Sequence, residues 1–408
     1  MVNRYYNRIV FNGDFGIGDL LSAVAALHQA RVAGYNDFAL DFSLCDAAFA
    51  PPILALCAQV MKMRGTDAIF KLTLPQKAEL AKLFRNANWA HFLAPDQEEP
   101  SQFKGFTQVP AIRFSTPEEQ RNAVNRIVNG ILGAIPTLDR RELVALEWSI
   151  NEITDNVLVH SQSSIGGIVQ VSTFKRASKR IEYIVVDAGL GIPGTLRQLN
   201  PKLSDAEALE WAIREGVTRD KTLGQGNGLF GSYQVCSHSM GSFHIDSGRA
   251  KLVFGERDGL RVTTEKVPFE GTLIAAQINF SDPRLLAEAL KFGGRPHVPL
   301  DFVELYYEQH DRDEVVFIMK NEVTSFGSRV AGTPVRNKLL NLVRMVPGQK
   351  IIIDFSEIPL VSSSFADEVL GKLFVELGPM TFTQRFEFRN VALTVRQLVD
   401  KAITQRLH

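Results

Sequence analysis

The chain has 408 residues, with 45 Lys plus Arg balanced by 45 Asp plus Glu, and only three cysteines. At about 100–200 residues per domain this length predicts two to four domains, and an apolar share of 45% excludes wholesale disorder. The zero net charge argues against nucleic acid as a partner, and the cysteines are too few for a disulfide framework. No apolar run suits a signal peptide or a membrane span, so we expect a cytoplasmic protein without membrane association.

The first part of the chain alternates predicted strands with predicted helices. The order β-α-β-α-β-α is typical of a small α/β layer. The third helix is expected to begin at Pro75, because proline is favoured in the first turn. The predicted strands cover 6–12, 37–43 and 67–73, and the predicted helices cover 17–33, 51–64 and 75–86.

The segment 107–280 carries four short motifs, of which the first is ALEWSINEITDNVLVHS from Ala145. Its apolar residues recur at helical spacing, so one face should pack against a core. Glu152 and Asn156 are four residues apart and project from one face of this helix. An amide oxygen suits a hard cation, and a carboxylate can orient or deprotonate a water or hydroxyl. Taken alone, such a pair is more often a solvated helix face.

The second and fourth motifs combine strand ends with glycine. In IEYIVVDAGLGIPG a strand ends at Asp187, and Gly189 and Gly191 follow. The glycines would let the backbone approach a flat ligand, and the Asp can accept a hydrogen bond from an exocyclic amine. In FEGTLIAAQI, Thr272 enters a strand, where its hydroxyl could bind a base edge.

The third motif, GVTRDKTLGQGNGLFGSYQV, lies between them and precedes a helix. Backbone amides of a glycine-rich turn that opens a helix can bind phosphate oxygens, and nearby positive charge would suit a triphosphate. The residues of interest here are Arg219, Lys221, Gly224, Gly226, Gly228 and Leu229.

The last part of the chain repeats the strand–helix alternation. LDFSLCDAAFAPPILAL from Leu40 and IDFSEIPLVSSSFADEVLGKL from Ile353 both place Asp-Phe-Ser at a strand end and Phe-Ala at the next helix start. This correspondence predicts a diverged duplication. The predicted strands are 314–320, 350–355 and 384–389, and the predicted helices are 335–345, 364–377 and 393–405.

In order and spacing, the four motifs resemble the GHKL ATPases, which include histidine kinases, anti-sigma serine kinases, MutL, type II topoisomerases and heat-shock chaperone ATPases. The resemblance covers 107–280 and implies helices layered on a mixed sheet that binds Mg-ATP. It makes Glu152 the catalytic base, Asn156 the Mg²⁺ ligand and Asp187 the acceptor for the adenine amine. The remaining motif residues would line the base or surround the phosphates: Gly189, Gly191, Thr272 and the residues of the third motif.

The C-terminal segment resembles a STAS-like domain of unknown function that is often found beside GHKL ATPases. In anti-sigma antagonists of the STAS fold, a GHKL kinase phosphorylates a serine where a strand leads into a helix. Ser363 lies nearest that position, although the family's preceding Asp is Ser362 here. A helix cap is the alternative role for this serine cluster. The N-terminal copy has Ala47 and Ala48 at the corresponding places.

These resemblances predict an α/β multidomain chain. A STAS-like domain (1–106) precedes the GHKL domain (107–280), a connector with one short helix (281–309) and a second STAS-like domain (310–408). No histidine lies between 92 and 159, where a sensor kinase would carry its phosphoacceptor. The leading hypothesis is an ATP-dependent regulatory switch that recruits protein partners through its STAS-like domains. A serine/threonine kinase and a non-hydrolysing ATP-bound scaffold are the alternatives, and pairing of two chains is left open.

Overall fold

The structure is a computed structural model that describes residues 1–102, 108–174, 180–217, 227–280, 288–292, 294–297, 299–309, 314–323 and 325–407. The chain divides into two compact units. The first unit comprises 1–127 and 148–297, and the second comprises 128–147 and 298–408. The division into three domains and a connector remains a prediction. None of the helices in these described ranges is long and apolar enough to cross a membrane.

The first unit contains most of the strands. Its strands are β1 Val2–Tyr5, β2 Arg8–Phe11, β3 Gly13–Phe15, β4 Asp37–Asp41, β5 Cys45–Ala48, β6 Ile69–Thr73, β7 Gln108–Phe114, β8 Gly167–Phe174, β9 Arg180–Asp187, β10 Ser242–Gly255, β11 Gly259–Asn279, β12 Lys291–Phe292 and β13 Arg295–Pro296. Its helices are α1 Leu20–Val32, α2 Ala50–Arg64, α3 Ala78–Asn86, α4 Trp89–Leu93, α5 Pro117–Ala134, α6 Arg140–Asn156, α7 Gly191–Leu196, α8 Asp205–Ala212 and α9 Gly228–His238. The C-terminal part of α5 and the N-terminal part of α6 belong to the second unit.

The second unit adds shorter strands and further helices. Its strands are β14 Glu308–Gln309, β15 Glu314–Ile318, β16 Ile351–Asp354 and β17 Phe386–Arg389. Its helices are α10 Phe302–Tyr306, α11 Met319–Glu322, α12 Arg329–Met345, α13 Ser363–Ala366, α14 Lys372–Leu377, α15 Pro379–Arg385 and α16 Leu393–Thr404.

The N-terminal sheet has the order β1-β2-β4-β6, in which β1 is antiparallel and the other three strands are parallel. The predicted strand 6–12 is wrong at its start, because Tyr6 has a left-handed φ of 56° and turns the chain between β1 and β2. The third helix begins at Ala78 and not at Pro75. The alternation of strand and helix is as predicted, and the element ends differ by a few residues.

The sheet of the second unit has the same topology. In the order β14-β15-β16-β17, the first strand is antiparallel and the other three are parallel. The two Asp-Phe-Ser strings also form the same turn. The backbone N–H of Ser43 donates to Asp41 Oδ1 at 2.9 Å, and that of Ser356 donates to Asp354 Oδ1 at 2.8 Å. The two sheets therefore share their strand order and the turn that leaves the second parallel strand.

A five-stranded sheet of order β10-β11-β9-β8-β7 forms the centre of the first unit. All four of its pairings are antiparallel, so the mixed sheet implied by the GHKL resemblance is wrong for the described strands. One hydrophobic core joins this sheet to the N-terminal layer, since Ile184 of β9 and Leu273 of β11 cluster with Leu56 of α2. The Gln59 side chain of α2 donates to the backbone carbonyl of Glu270 at 2.7 Å.

Candidate functional site

Helix α6 positions the first pair of predicted site residues. Its buried face includes Ile150 and Ile153, and the chain continues from Asn156 into a π turn at Val157–Ser161. Glu152 is half-buried, and burial, followed by the nearby charge of Asp155, raises the pKa of its carboxyl. A raised pKa suits a carboxylate that must accept and release a proton.

The second motif places a buried carboxyl at the end of β9. Asp187 is only 3% exposed, and its Oδ1 accepts a 2.7 Å hydrogen bond from the N–H of Gly189. Burial raises the pKa of Asp187 to about 7, against the opposing effects of the Gly189 and Thr272 amides and the charge of Lys62. In the β9–β11 pairing, Thr272 lies directly opposite Asp187.

The glycines around Asp187 are required by neighbouring protein atoms. A Cβ on Gly189 would lie 2.0 Å from the carbonyl oxygen of Ser161, and one on Gly271 would lie 2.2 Å from that of Asp187. Gly191 has φ of +72°, and its Cβ would lie 2.7 Å from Ser247 Oγ. These positions therefore need glycine to bring β9, the π turn and β11 together.

Of the third motif, the structure describes Gly216, Val217 and the residues from Asn227 onward. A Cβ on Gly228, the first residue of α9, would lie 2.4 Å from Glu152 Oε2, so the start of this helix packs directly on the α6 carboxylate. Leu229 packs against a small apolar cluster around Leu196 and Ala208. The predicted phosphate-side residues Arg219, Lys221, Gly224 and Gly226 lie outside the described residues.

A cavity of about 310 Å³ lies within the first unit. This volume is at the lower end of the roughly 300–1,000 Å³ typical of small-molecule sites. Gly189 is not among the residues that line it. Seven of the predicted residues do line the cavity: Glu152, Asn156, Asp187, Gly191, Gly228, Leu229 and Thr272.

The donor set of this cavity fits an adenine nucleotide with Mg²⁺. Asp187 offers a buried carboxyl acceptor at the end of β9, and Asn156 offers an amide oxygen one helical turn after Glu152 on α6. Mg²⁺ usually takes one or two protein oxygens and completes its shell with phosphates and water. Among the residues that the structure describes, no group of three or more His, Cys, Asp or Glu side chains could hold a metal alone.

The cavity is also lined by residues that were not predicted as site residues, among them Trp148, Phe292 and His297. Trp148 precedes Glu152 by one helical turn, so helical spacing alone could have indicated it. Phe292 and His297 come from the segment expected to be a connector with one short helix. The β12–β13 hairpin, which carries Phe292, lies ahead of α10 in this segment, and its two-residue strands leave no periodic signal in the sequence.

The serine cluster of the second unit separates into distinct roles. Ser362 caps α13, because its Oγ accepts a 3.0 Å hydrogen bond from the N–H of Phe365, and it also lies 3.0 Å from Ser364 Oγ. Ser363 is the first residue of α13, and its side chain is exposed. The capping role predicted as the alternative therefore belongs to Ser362, while Ser363 faces solvent.

Comparison with known proteins bears on the C-terminal part of the chain. The family model of a STAS-like domain of unknown function (DUF4325) matches residues 331–396. This part of the chain is therefore STAS-like. The match runs from the first turn of α12 to the first turn of α16 and includes β16, β17 and Ser363. No curated protein matches the chain. The GHKL sandwich and the N-terminal STAS-like domain remain predictions.

Proposed function

We propose that the chain binds Mg-ATP in this cavity and acts as a nucleotide-dependent regulatory switch through its STAS-like domain. The observation that carries the proposal is the convergence of residues from all four motifs on one cavity. Glu152 and Thr272 are 120 positions apart in sequence, yet both contribute to its walls. The order of the four motifs, which resembles that of the GHKL ATPases, also supports Mg-ATP as the ligand.

The proposal assigns a task to Asp187, Thr272, Asn156 and Glu152. The carboxylate of Asp187 accepts a hydrogen bond from the exocyclic amine of the base, and Thr272 supports it from the opposite strand. The amide oxygen of Asn156 binds Mg²⁺, which neutralises phosphate charge when bound. Glu152 orients the attacking water or hydroxyl and accepts its proton, and burial in this wall makes it a stronger base than an exposed glutamate.

We also propose that the N-terminal layer is a diverged STAS-like domain. Its strand order matches that of the C-terminal sheet, and both use the same Asp-Phe-Ser turn. Ala47 and Ala48 replace the serines of the C-terminal copy, so phosphorylation at this junction is restricted to the C-terminal copy. The N-terminal copy would then serve as a structural or partner-binding module.

A serine/threonine kinase of anti-sigma type is the second candidate. The exposed position of Ser363 at the start of α13 favours it, because a phosphate there would meet the positive end of the helix. A scaffold that binds ATP without hydrolysing it is the third candidate, and it gives Glu152 no chemical task.

Calorimetric titration with a non-hydrolysable ATP analogue tests the proposal. Wild-type protein should bind in the presence of Mg²⁺, and Asn156→Ala should weaken Mg²⁺-dependent binding roughly tenfold through the lost metal ligand. Asp258→Asn is the control, since its 69% exposed side chain lies in the β10–β11 turn. Absence of any nucleotide binding by the wild-type chain would overturn the proposal.

A further inference from the structure

We propose that His297, held by the β12–β13 hairpin, contacts the terminal phosphates of the bound nucleotide. The inference deepens the proposed function and rests on it. It adds a ligand-contacting residue from a segment that none of the four motifs includes.

Backbone hydrogen bonds close the hairpin and its base. Lys291 pairs with Pro296 and Phe292 with Arg295 in antiparallel register. The N–H of His297 donates to the carbonyl of Leu290 at 2.8 Å, which brings His297 back to the base of the hairpin. Phe292 and His297 both line the cavity as a result.

Ring contacts assign the hairpin to one wall of the cavity. The ring centroid of Trp148 lies 5.5 Å from that of Phe292 and 5.9 Å from that of His297. Trp148 is one turn ahead of Glu152 on α6, and both side chains line the cavity. His297 therefore lies on the wall that carries Glu152.

The first turn of α9 leads to the same wall. A Cβ on Gly231 would lie 2.3 Å from the indole of Trp148 and 2.9 Å from the ring of Phe292. Gly228, one turn earlier, packs on the carboxylate of Glu152. The base-binding pair Asp187 and Thr272 belongs instead to the paired strands β9 and β11.

The imidazole of His297 is the group on this wall that suits an anionic ligand. Trp148 and Phe292 pack on each other and on α9, so their rings serve to position the hairpin. His297 is exposed at the cavity, unlike a histidine that fills a core, and an imidazole can donate a hydrogen bond to a phosphate oxygen. Beside the proposed phosphate-side residues Glu152 and Asn156, its natural ligand is the polyphosphate and not the base.

Titration of His297→Ala with both ATP analogue and adenosine tests the inference. The variant should bind the analogue about tenfold more weakly, as expected for one lost charge-assisted hydrogen bond, and should bind adenosine as the wild type does. His28→Ala, an exposed histidine of α1, is the matched control. His297→Gln keeps a side-chain hydrogen-bond donor and should retain part of the affinity for the analogue. It serves as the second test if the alanine variant is poorly folded.

The outcomes separate the two proposals. Equal losses for the analogue and adenosine, or an unchanged affinity for the analogue, would overturn the role of His297 and leave the nucleotide site intact. A wild-type protein that binds neither ligand would overturn the proposed function and this inference with it.

Discussion

Asp187 shows at the residue scale how the fold changes the chemistry of one side chain. Its carboxyl lies at a strand end that would be accessible in an isolated β-α turn. Packing of β11 and the π turn buries it, and burial raises its pKa to about 7. The sequence indicated the residue, but its burial depends on β11, whose Thr272 is 85 positions away and whose register cannot be read from local pattern.

Binding of adenosine should consequently depend on pH. In the proposed site the ionised carboxyl accepts the amine hydrogen bond, so affinity should rise as the pH increases from 6 to 8, and by at most about tenfold per pH unit below 7. Adenosine is the suitable probe because it carries no titrating phosphate. Calorimetry at several pH values should give a midpoint near the Asp187 pKa of about 7, and Asp187→Asn should remove the dependence. Parallel profiles in the two proteins would contradict the assignment.

Protonation of Asp187 should weaken adenosine binding, but it stabilises the fold of the ligand-free protein. In the folded protein the pKa of Asp187 lies above its ordinary value of 3.8. The contribution of this carboxyl to stability is therefore complete below pH 3.8 and is lost as the pH rises through about 7. Burial also raises the pKa of Glu147 to about 7. The difference in unfolding free energy between wild type and Asp187→Asn therefore isolates the contribution of Asp187.

Helix α2 supports β11, the strand that carries Thr272. Gln59 is 6% exposed and donates to the carbonyl of Glu270, and Lys62 pairs with the Glu270 carboxylate at 2.9 Å. The next residue, Gly271, lies against the backbone of Asp187, and its carbonyl accepts a 2.7 Å hydrogen bond from Ser247. A hydrogen-bonded path thus runs from the N-terminal layer to the irregular part of β11 just before Thr272.

Gln59→Leu should weaken base recognition without touching the ligand. It removes the donor to the Glu270 carbonyl, at a cost of about 0.5–1.5 kcal/mol, and allows the segment of β11 before Thr272 to shift. The preference for ATP over inosine triphosphate, which lacks the exocyclic amine, should shrink several-fold in calorimetric titrations. The same change at the exposed Gln29 of α1 is the control. A lower stability with unchanged base preference would limit Gln59 to a structural role.

The elements that the sequence predicted well are those with a strong local pattern. The strand–helix alternation at both ends of the chain follows from apolar periodicity. Helix α12 begins at Arg329, ahead of the predicted 335, because Ser328 caps it and the buried Pro334 is accommodated inside. The antiparallel pairing of the central sheet depends on non-local contacts, and the two-residue strands of the β12–β13 hairpin are too short to leave a periodic signal.

At the scale of the whole molecule, one chain contains a candidate ATP site and a STAS-like domain with an exposed serine. The N-terminal sheet and the sheet of the second unit correspond in strand order and in the Asp-Phe-Ser turn, as well as in sequence. If the chain is a kinase, it would phosphorylate its own Ser363, because the proposed catalytic base Glu152 and this serine belong to the same chain.

Incubation with Mg-ATP followed by mass spectrometry distinguishes the kinase from the switch. The kinase predicts phosphate on Ser363 that is lost in Ser363→Ala and in Glu152→Gln, and retained in Ser364→Ala. The switch predicts ATP hydrolysis that Glu152→Gln abolishes, without phosphate on Ser363. Unmodified serine together with no hydrolysis by a protein that binds ATP would favour the scaffold over both.

Trp148 gives the molecule an intrinsic optical probe. Its indole lines the cavity and contacts Phe292 and His297, whereas Trp89 and Trp211 are not among the lining residues, and Trp89 donates to Gln170 at 2.8 Å. A ligand that enters the cavity changes the polarity around the Trp148 ring and hence its emission. Cavity occupancy can therefore be followed by fluorescence on the unlabelled chain, and the signal assigned by comparison with Trp148→Phe.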